Sequence, residues 1–205
     1  YDDEDWSTNS GGTGSNSTGP SAANEGTYYI YCETSGSSNG DEYVLESPEF
    51  DFSSLSNPQF AFDYHMYFNT HTDGELNVDI STNLGSSWTT IHTITGFQQS
   101  DELDPWLTDT ISLLSYAGES SVMIRFFFTT GNGTTYQYDM SIDYVQVMEG
   151  PALVALDAGI TEITAPTGNV AAGNPVPVRA TIKNFGTTTL TTADMCFSVN
   201  GGATQ

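Results

Sequence analysis

Residues 59–68 alternate without a break. Phe60, Phe62, Tyr64, Met66 and Phe68 fall on one side, and Gln59, Ala61, Asp63, His65 and Tyr67 on the other. A period of two is the geometry of a β-strand, whose successive side chains point to opposite faces. A helix would scatter the five large apolar residues round its circumference. The chain must therefore build a sheet with one apolar face, and a second layer to cover it. Residues 75–81 repeat the pattern, with Leu76, Val78 and Ile80 against Glu75, Asn77 and Asp79. Residues 122–130 place Val122, Ile124, Phe126 and Phe128 on one face. In residues 28–34, Tyr28, Ile30 and Cys32 share one face while Tyr29, Tyr31 and Glu33 share the other.

Shorter runs at 43–47, 88–94, 107–114 and 140–147 bring the total to roughly eight predicted strands, with turns every ~8–12 residues. No segment carries a helical period. The expectation is an all-β fold, an antiparallel β-sandwich of jelly-roll type. Composition agrees: 28 Thr, 22 Ser, 11 Tyr and 11 Phe stand against a single Lys. Thr and aromatic residues suit a pleated surface, whereas helices are usually filled with Ala, Leu, Glu and Lys.

Glu149, Gly150 and Pro151 interrupt the pattern, and the charge changes there. Residues 151–205 hold three acids against Arg179 and Lys183, so −22 of the formal −23 belongs to residues 1–150. The expected domains are 1–149, the jelly roll, and 150–205. The second segment offers predicted strands at 153–163, 176–183 and 190–199. Three strands cannot close a two-sheet sandwich, so this segment is expected to be the N-terminal part of an immunoglobulin-like domain. Residues 1–26, acidic and then rich in Gly, Ser, Thr and Asn, are expected to be a flexible solvated arm. The chain opens at Tyr1 without an initiator Met or a signal peptide, the expectation for a trimmed portion of a longer protein.

The charge excludes partners. Nucleic-acid binding needs cations, and only Arg125, Arg179 and Lys183 are present. An anionic membrane surface would repel the chain. No apolar run approaches the ~18 residues of a spanning helix, so direct membrane insertion by a helix is not expected. Cys32 and Cys196 are too few for a disulfide framework and are expected to be unpaired, buried thiols.

Several short motifs fall in order along the first 150 residues. They are Asp3-Glu4-Asp5-Trp6, Gly19-Pro20-Ser21, Tyr29-Ile30-Tyr31-Cys32-Glu33, Leu45-Glu46-Ser47-Pro48 and Phe62-Asp63-Tyr64-His65-Met66-Tyr67. Gly74-Glu75-Leu76-Asn77-Val78, Gly85-Ser86-Ser87-Trp88 and Ile142-Asp143 follow. In order and spacing they resemble the MAM domain, in the form found in secreted bacterial proteins. The disulfide cysteines of the animal domain are absent. The resemblance implies a further strand before the Asp-rich segment. Residues 177–186 resemble the second strand and turn of an adhesion-type immunoglobulin-like (CARDB-like) module. Both resemblances imply a secreted or cell-surface protein of large, multi-domain build.

Residues able to carry chemistry are few. Gly36-Ser37-Ser38-Asn39-Gly40 fits G-x-S-x-G, but a nucleophile elbow needs a helix after it, and residues 41–45 have strand character. His65, His71 and His92 form no H-E-x-x-H, and there is no C-x-x-C, so zinc has no support. His65 is expected to be a hydrogen-bonded structural residue. No constellation with nucleophile and base in named roles is present, so no enzymatic activity is expected.

Calcium takes six to eight oxygen ligands, which an acidic chain supplies. Asp3, Asp5, Glu33, Asp63 and Asp143 all fall in the motifs above. The expectation is one structural Ca²⁺ held by some of them, pinning the N-terminal arm to the sandwich. Asp73-Gly74-Glu75 and Asp101-Glu102-Leu103-Asp104 are secondary candidates, with turn roles as the alternative. Trp88, Trp106, Tyr136 and Tyr138 lie in or near predicted loops and are the candidate sugar-stacking residues. Asp109-Thr110-Ile111 resembles a bacterial O-glycosylation sequon at Thr110. Asn16 and Asn132 satisfy the N-glycosylation rule.

The expected function is a non-catalytic extracellular adhesion or assembly module, calcium-stabilised, whose partner is a protein or glycan on a surface or within a larger assembly. The alternative is a carbohydrate-binding module or an accessory region of a secreted peptidase or glycosidase.

Overall fold

The computed structural model describes residues 2–154, 157–168, 170, 176–193 and 196–198. The chain divides into two units, Tyr1–Gly150 and Pro151–Gln205. In the first, one sheet runs β1 (Trp6–Asn9), β2 (Tyr29–Cys32), β9 (Ser141–Glu149), β4 (Pro58–His65), β7 (Leu107–Ser112). The other runs β3 (Glu42–Glu46), β8 (Met123–Thr129), β5 (Glu75–Ser81), β6 (Thr89–Thr95). The named strands pair antiparallel throughout, and the only helical turns among the described residues are Leu114–Tyr116 and Thr135–Gln137, both 3-10. This is the antiparallel jelly-roll β-sandwich that the alternation implies.

The apolar faces read from the sequence meet in the core. Phe60, Phe62 and Tyr64 of β4 and Leu76, Val78 and Ile80 of β5 are buried, as are Ile124, Phe126 and Phe128 of β8. Phe126 is the crossing point between the layers. Its ring lies 5.0 Å edge-on from Phe62 and 5.6 Å from Phe60. Each such side chain contributes about 1.5–3 kcal/mol by leaving water.

The first correction concerns residues 1–26, which are not a solvated arm. Residues 6–9 form β1, paired with β2 through Trp6↔Cys32 and Asn9↔Tyr29. The segment then folds back over the outer face of the five-stranded sheet. The Tyr29 hydroxyl donates to the Gly11 carbonyl (2.8 Å), the Gly19 amide to Tyr67 (3.0 Å) and the Ser21 amide to Glu102 (2.8 Å). Thr18, Gly19 and Pro20 are buried. Gly19 has φ +65°, and a Cβ there would strike the Thr13 side chain, so this turn requires glycine. With this cover β4 is buried on both faces, and the nominally outward Asp63 and His65 are 4% and 0% exposed.

The N-terminal acids serve the edge of the other sheet. The Asp3 carboxylate accepts from the Glu42 amide and the Asp2 carboxylate from the Val44 amide, while the Asp3 and Glu4 amides donate to the Glu42 carbonyl. An edge strand's free amides are thereby capped, which blocks adventitious pairing. On the opposite side His92 Nε2 of β6 lies 2.7 Å from Asp109 Oδ2 of β7, joining the edges of the two sheets.

The second unit contains β10 (Ala158–Ala165) and β11 (Arg179–Asn184), an antiparallel pair with register shifts at Ile160/Glu162 and Ile163/Ala165. The third predicted strand is not formed at 190–193 or 196–198, and the rest of it lies outside the described residues. Both thiols are free, but only Cys32 is buried; Cys196 is exposed.

Candidate functional site

The sequence grouped Asp3, Asp5, Glu33, Asp63 and Asp143 round one cation. The structure separates them, and no cluster of three or more acidic, His or Cys side chains suited to a metal occurs among the described residues. Asp3 is spent on the β3 edge. Asp5 lines an acidic groove with Asp2, Glu42 and Glu46, on which Arg125 and Phe127 also open. Asp63 and Asp143 do come together, as cross-strand partners of β4 and β9. Asn24 links them, its side-chain amide donating to Asp63 (2.5 Å) and its backbone amide to Asp143 (2.9 Å). Thr108 also donates to Asp63, and the Glu25 amide to Asp143. Both carboxylates are thus engaged by donors of the protein itself. Glu33 stands apart, accepting from the Ser35 amide and the Tyr31 hydroxyl.

The secondary acids are turn residues. Asp104 accepts from Ser100 and the Asp101 amide, and these bonds, the Ser100 hydroxyl's first, hold its carboxyl below the usual range. Asp73 accepts from the Tyr138 hydroxyl (2.6 Å) and the Asn132 amide (2.7 Å).

The four aromatic candidates have different fates. Tyr138 is wholly buried, so it presents no surface to a sugar; burial first, then its bond to Asp73, pushes its hydroxyl up to about 12. Trp106 is half-buried, its ring 5.6 Å edge-on from Tyr29 and 5.7 Å from His65, and its Nε1 donates to the Ala22 carbonyl (3.1 Å). It locks the covering segment down. Trp88 lies over the Arg125 guanidinium at 4.6 Å, and Arg125 also pairs with Asp79 at 2.9 Å. Tyr136 is exposed, and Thr110 lies exposed on the edge strand β7. The residues after Gly36-Ser37-Ser38-Asn39-Gly40 form strand β3, so no nucleophile elbow exists.

Two features escaped the sequence. Tyr28 and Tyr144 are 68% and 53% exposed. Each lies two residues beyond the paired Ile30 and Ile142, which are partners of β2 and β9. They border a groove of about 230 Å³ with Thr8, Ile30, Asp143 and Val145. Tyr144 holds φ +49°, a left-handed conformation rare for an aromatic residue, which strains the backbone where the side chain is presented. The second feature is Asp139, fully buried, with Oδ2 lacking any partner.

The MAM domain (meprin/A5/mu) family model matches residues 1–152. This chain belongs to the MAM family. The matched residues include the whole of the first unit. No curated protein sequence matches it. Among solved structures it is similar to the K1 cleaved adhesin domain of Lys-gingipain from Porphyromonas gingivalis W83. That match has 15% identity and TM-score 0.45, covering 72% of this chain and 85% of that one. It is also similar to CBM27-1 of Caldicellulosiruptor saccharolyticus, solved with mannohexaose (16%, TM-score 0.41, 58% of this chain and 73% of that one). A third is the Endo-D glycoside hydrolase domain from Streptococcus pneumoniae R6 (10%, TM-score 0.44, 80% of this chain and 24% of that one). In this MAM domain, alternation alone put Tyr28 on one face with Ile30 and Cys32, without saying whether that face meets water. The positive φ of Tyr144 has no residue-type signal, so sequence could not have found the pair.

Proposed function

We propose that this MAM domain is a non-catalytic, extracellular recognition module that binds a neutral glycan in the Tyr28–Tyr144 groove. The observation that carries the reading is the exposure of two tyrosines that line one groove of about 230 Å³, one of them on a strained backbone. Aromatic rings stack on the C–H faces of sugars, and hydroxyls such as that of Thr8 exchange hydrogen bonds with the sugar's own. A ligand without charge is favoured because residues 1–150 carry −22 and their one cation, Arg125, is engaged by Asp79. A sulfated or uronic-acid glycan would be repelled. Burial and engagement of the polar side chains support the non-catalytic reading. His65 and Asp139 are inaccessible, His92 is held by Asp109, and Ser37 is bonded to Tyr43.

Affinity gel electrophoresis against neutral and acidic polysaccharides tests the reading. Retardation by at least one neutral polysaccharide is expected, with affinity at least tenfold weaker for Tyr28→Ala and Tyr144→Ala. Binding only to acidic polysaccharides, or binding unchanged in the double variant, would refute it. The second unit is read as part of an adhesion-type immunoglobulin-like module, which would set this domain within a larger surface or secreted protein.

A further inference from the structure

We propose that one ordered water molecule is held between Ser141 and His65, in a chamber walled by Tyr29, Tyr31 and Trp106. The proposal is independent of what occupies the tyrosine groove. Ser141 opens β9, and its ladder partners are Tyr31 of β2 on one side and His65 of β4 on the other. Strand partners share a face, so the three side chains form one row on the outer face of the sheet, under the covering segment. Ser141 and His65 are both 0% exposed. The Ser141 Oγ and both His65 ring nitrogens are buried without a hydrogen-bond partner from the chain. The ring approaches the Asp104 backbone, but not in hydrogen-bond geometry. Three such atoms side by side destabilise the fold unless something outside the chain pairs them, and ordered water is the common answer.

Rings enclose the row. The Trp106 ring stands edge-on, 5.7 Å from His65 and 5.6 Å from Tyr29, and Tyr29 lies 5.9 Å from Tyr31. Tyr31, Tyr29, Trp106, His65 and Ser141 thus make a closed circuit of neighbours. The covering segment fastens two of its walls, since Trp106 Nε1 donates to the Ala22 carbonyl (3.1 Å) and the Tyr29 hydroxyl to the Gly11 carbonyl (2.8 Å). The Tyr31 hydroxyl is spent on Glu33. Within the circuit, Ser141 and His65 are the groups left with bonds to make.

Their chemistry selects the occupant. A neutral imidazole offers one donor and one acceptor, and a hydroxyl can act as either. The circuit contains no carboxylate to hold a cation, and an anion would meet a domain carrying −22. An apolar occupant would leave all three atoms unpaired. Water donates and accepts at once, and when buried it makes about three hydrogen bonds. Cross-strand neighbours hold their Cβ atoms ~4.5–5.5 Å apart, a span that one water bridges where no direct bond is made. The consequence is mechanical. The water joins β4 to β9 beneath the cover and seats the Trp106 ring, and it leaves only when the covering segment lifts.

The test is a high-resolution crystal structure of the full chain. A solvent peak within about 3.2 Å of both the Ser141 Oγ and a His65 ring nitrogen is expected. In Ser141→Val, which removes the hydroxyl and puts a methyl in its place, the peak is expected to be lost. In Ser141→Thr, which keeps the hydroxyl, it is expected to stay. Near-UV circular dichroism confirms that each variant is folded, and the wild-type structure decides by itself should either fail to fold. A wild-type chain in which Ser141 bonds His65 directly, or in which no solvent lies between them, overturns the proposal. So does a solvent peak retained in Ser141→Val or lost in a folded Ser141→Thr.

Discussion

Replacing His65 by Leu should make the protein less stable at neutral pH and more stable in acid. His65 is 0% exposed, and neither ring nitrogen has a hydrogen-bond partner. Burial pushes its imidazole down from 6.5 to about 4, against the opposite pull of Asp104 and Asp101. Below pH 6.5 the unfolded chain takes up a proton that the folded chain refuses, so stability falls as pH falls. The loss is nearly complete by about pH 4, where it reaches ~3 kcal/mol. Leu cannot take that proton. It forfeits the edge-on contact with Trp106, worth ~0.5–1.5 kcal/mol. At pH 7.5 the variant should therefore be ~1 kcal/mol less stable, and at pH 4 ~2 kcal/mol more stable. The two stabilities should cross near pH 6, roughly where the acid term equals the lost ring contact. In melting temperature the gain at pH 4 is about 4–8 °C for a chain of this size. Thermal melts followed by circular dichroism from pH 4 to 8, in EDTA, measure it. Asp139, raised rather than lowered, tilts the profile the other way in both proteins, so it cancels in the difference. A melting-temperature difference between the two proteins that stays constant across the range would mean that His65 takes its proton equally well when folded, contrary to its burial.

Three further perturbations test the frame. Arg125→Met leaves the Asp79 carboxylate, with a side chain 6% exposed, without its cation. Denaturant unfolding should show a loss of ~3 kcal/mol, largely recovered when Asp79→Leu is added. Phe126→Ala opens the aromatic crossing point between the sheets and should cost ~3–5 kcal/mol in the same assay. Gly96→Ala forces a side chain onto φ +70° with its Cβ 2.7 Å from the Thr72 carbonyl oxygen, and should cost at least ~1–3 kcal/mol, seen as a lower melting temperature.

The strands legible in advance were those whose pattern is local. Period-two alternation in β4, β5 and β8 identified their inward residues, and the short MAM motifs identified the family before any contact was known. β1 was missed because Trp6–Asn9 has no alternation long enough to register, and its partners in β2 lie 20 (Asn9↔Tyr29) to 26 (Trp6↔Cys32) residues along the chain. The polar residues of 10–26 likewise resembled a solvated loop, since nothing in their types announces that they lie over a sheet.

The amino-acid order by itself determined an all-β sandwich, its apolar faces and an acidity concentrated in the first 150 residues. These depend on side-chain type and on neighbours two positions away. Tertiary structure decided which of the outward faces meets water. Covering the five-stranded sheet turned Asp63, His65 and Asp139 from surface residues into buried ones, and sent Asp3, Glu33 and Asp143 to separate duties. Alternation states only that two faces differ. The segment that covers one of them arrives from far along the chain, and its arrival changes the dielectric around each carboxylate.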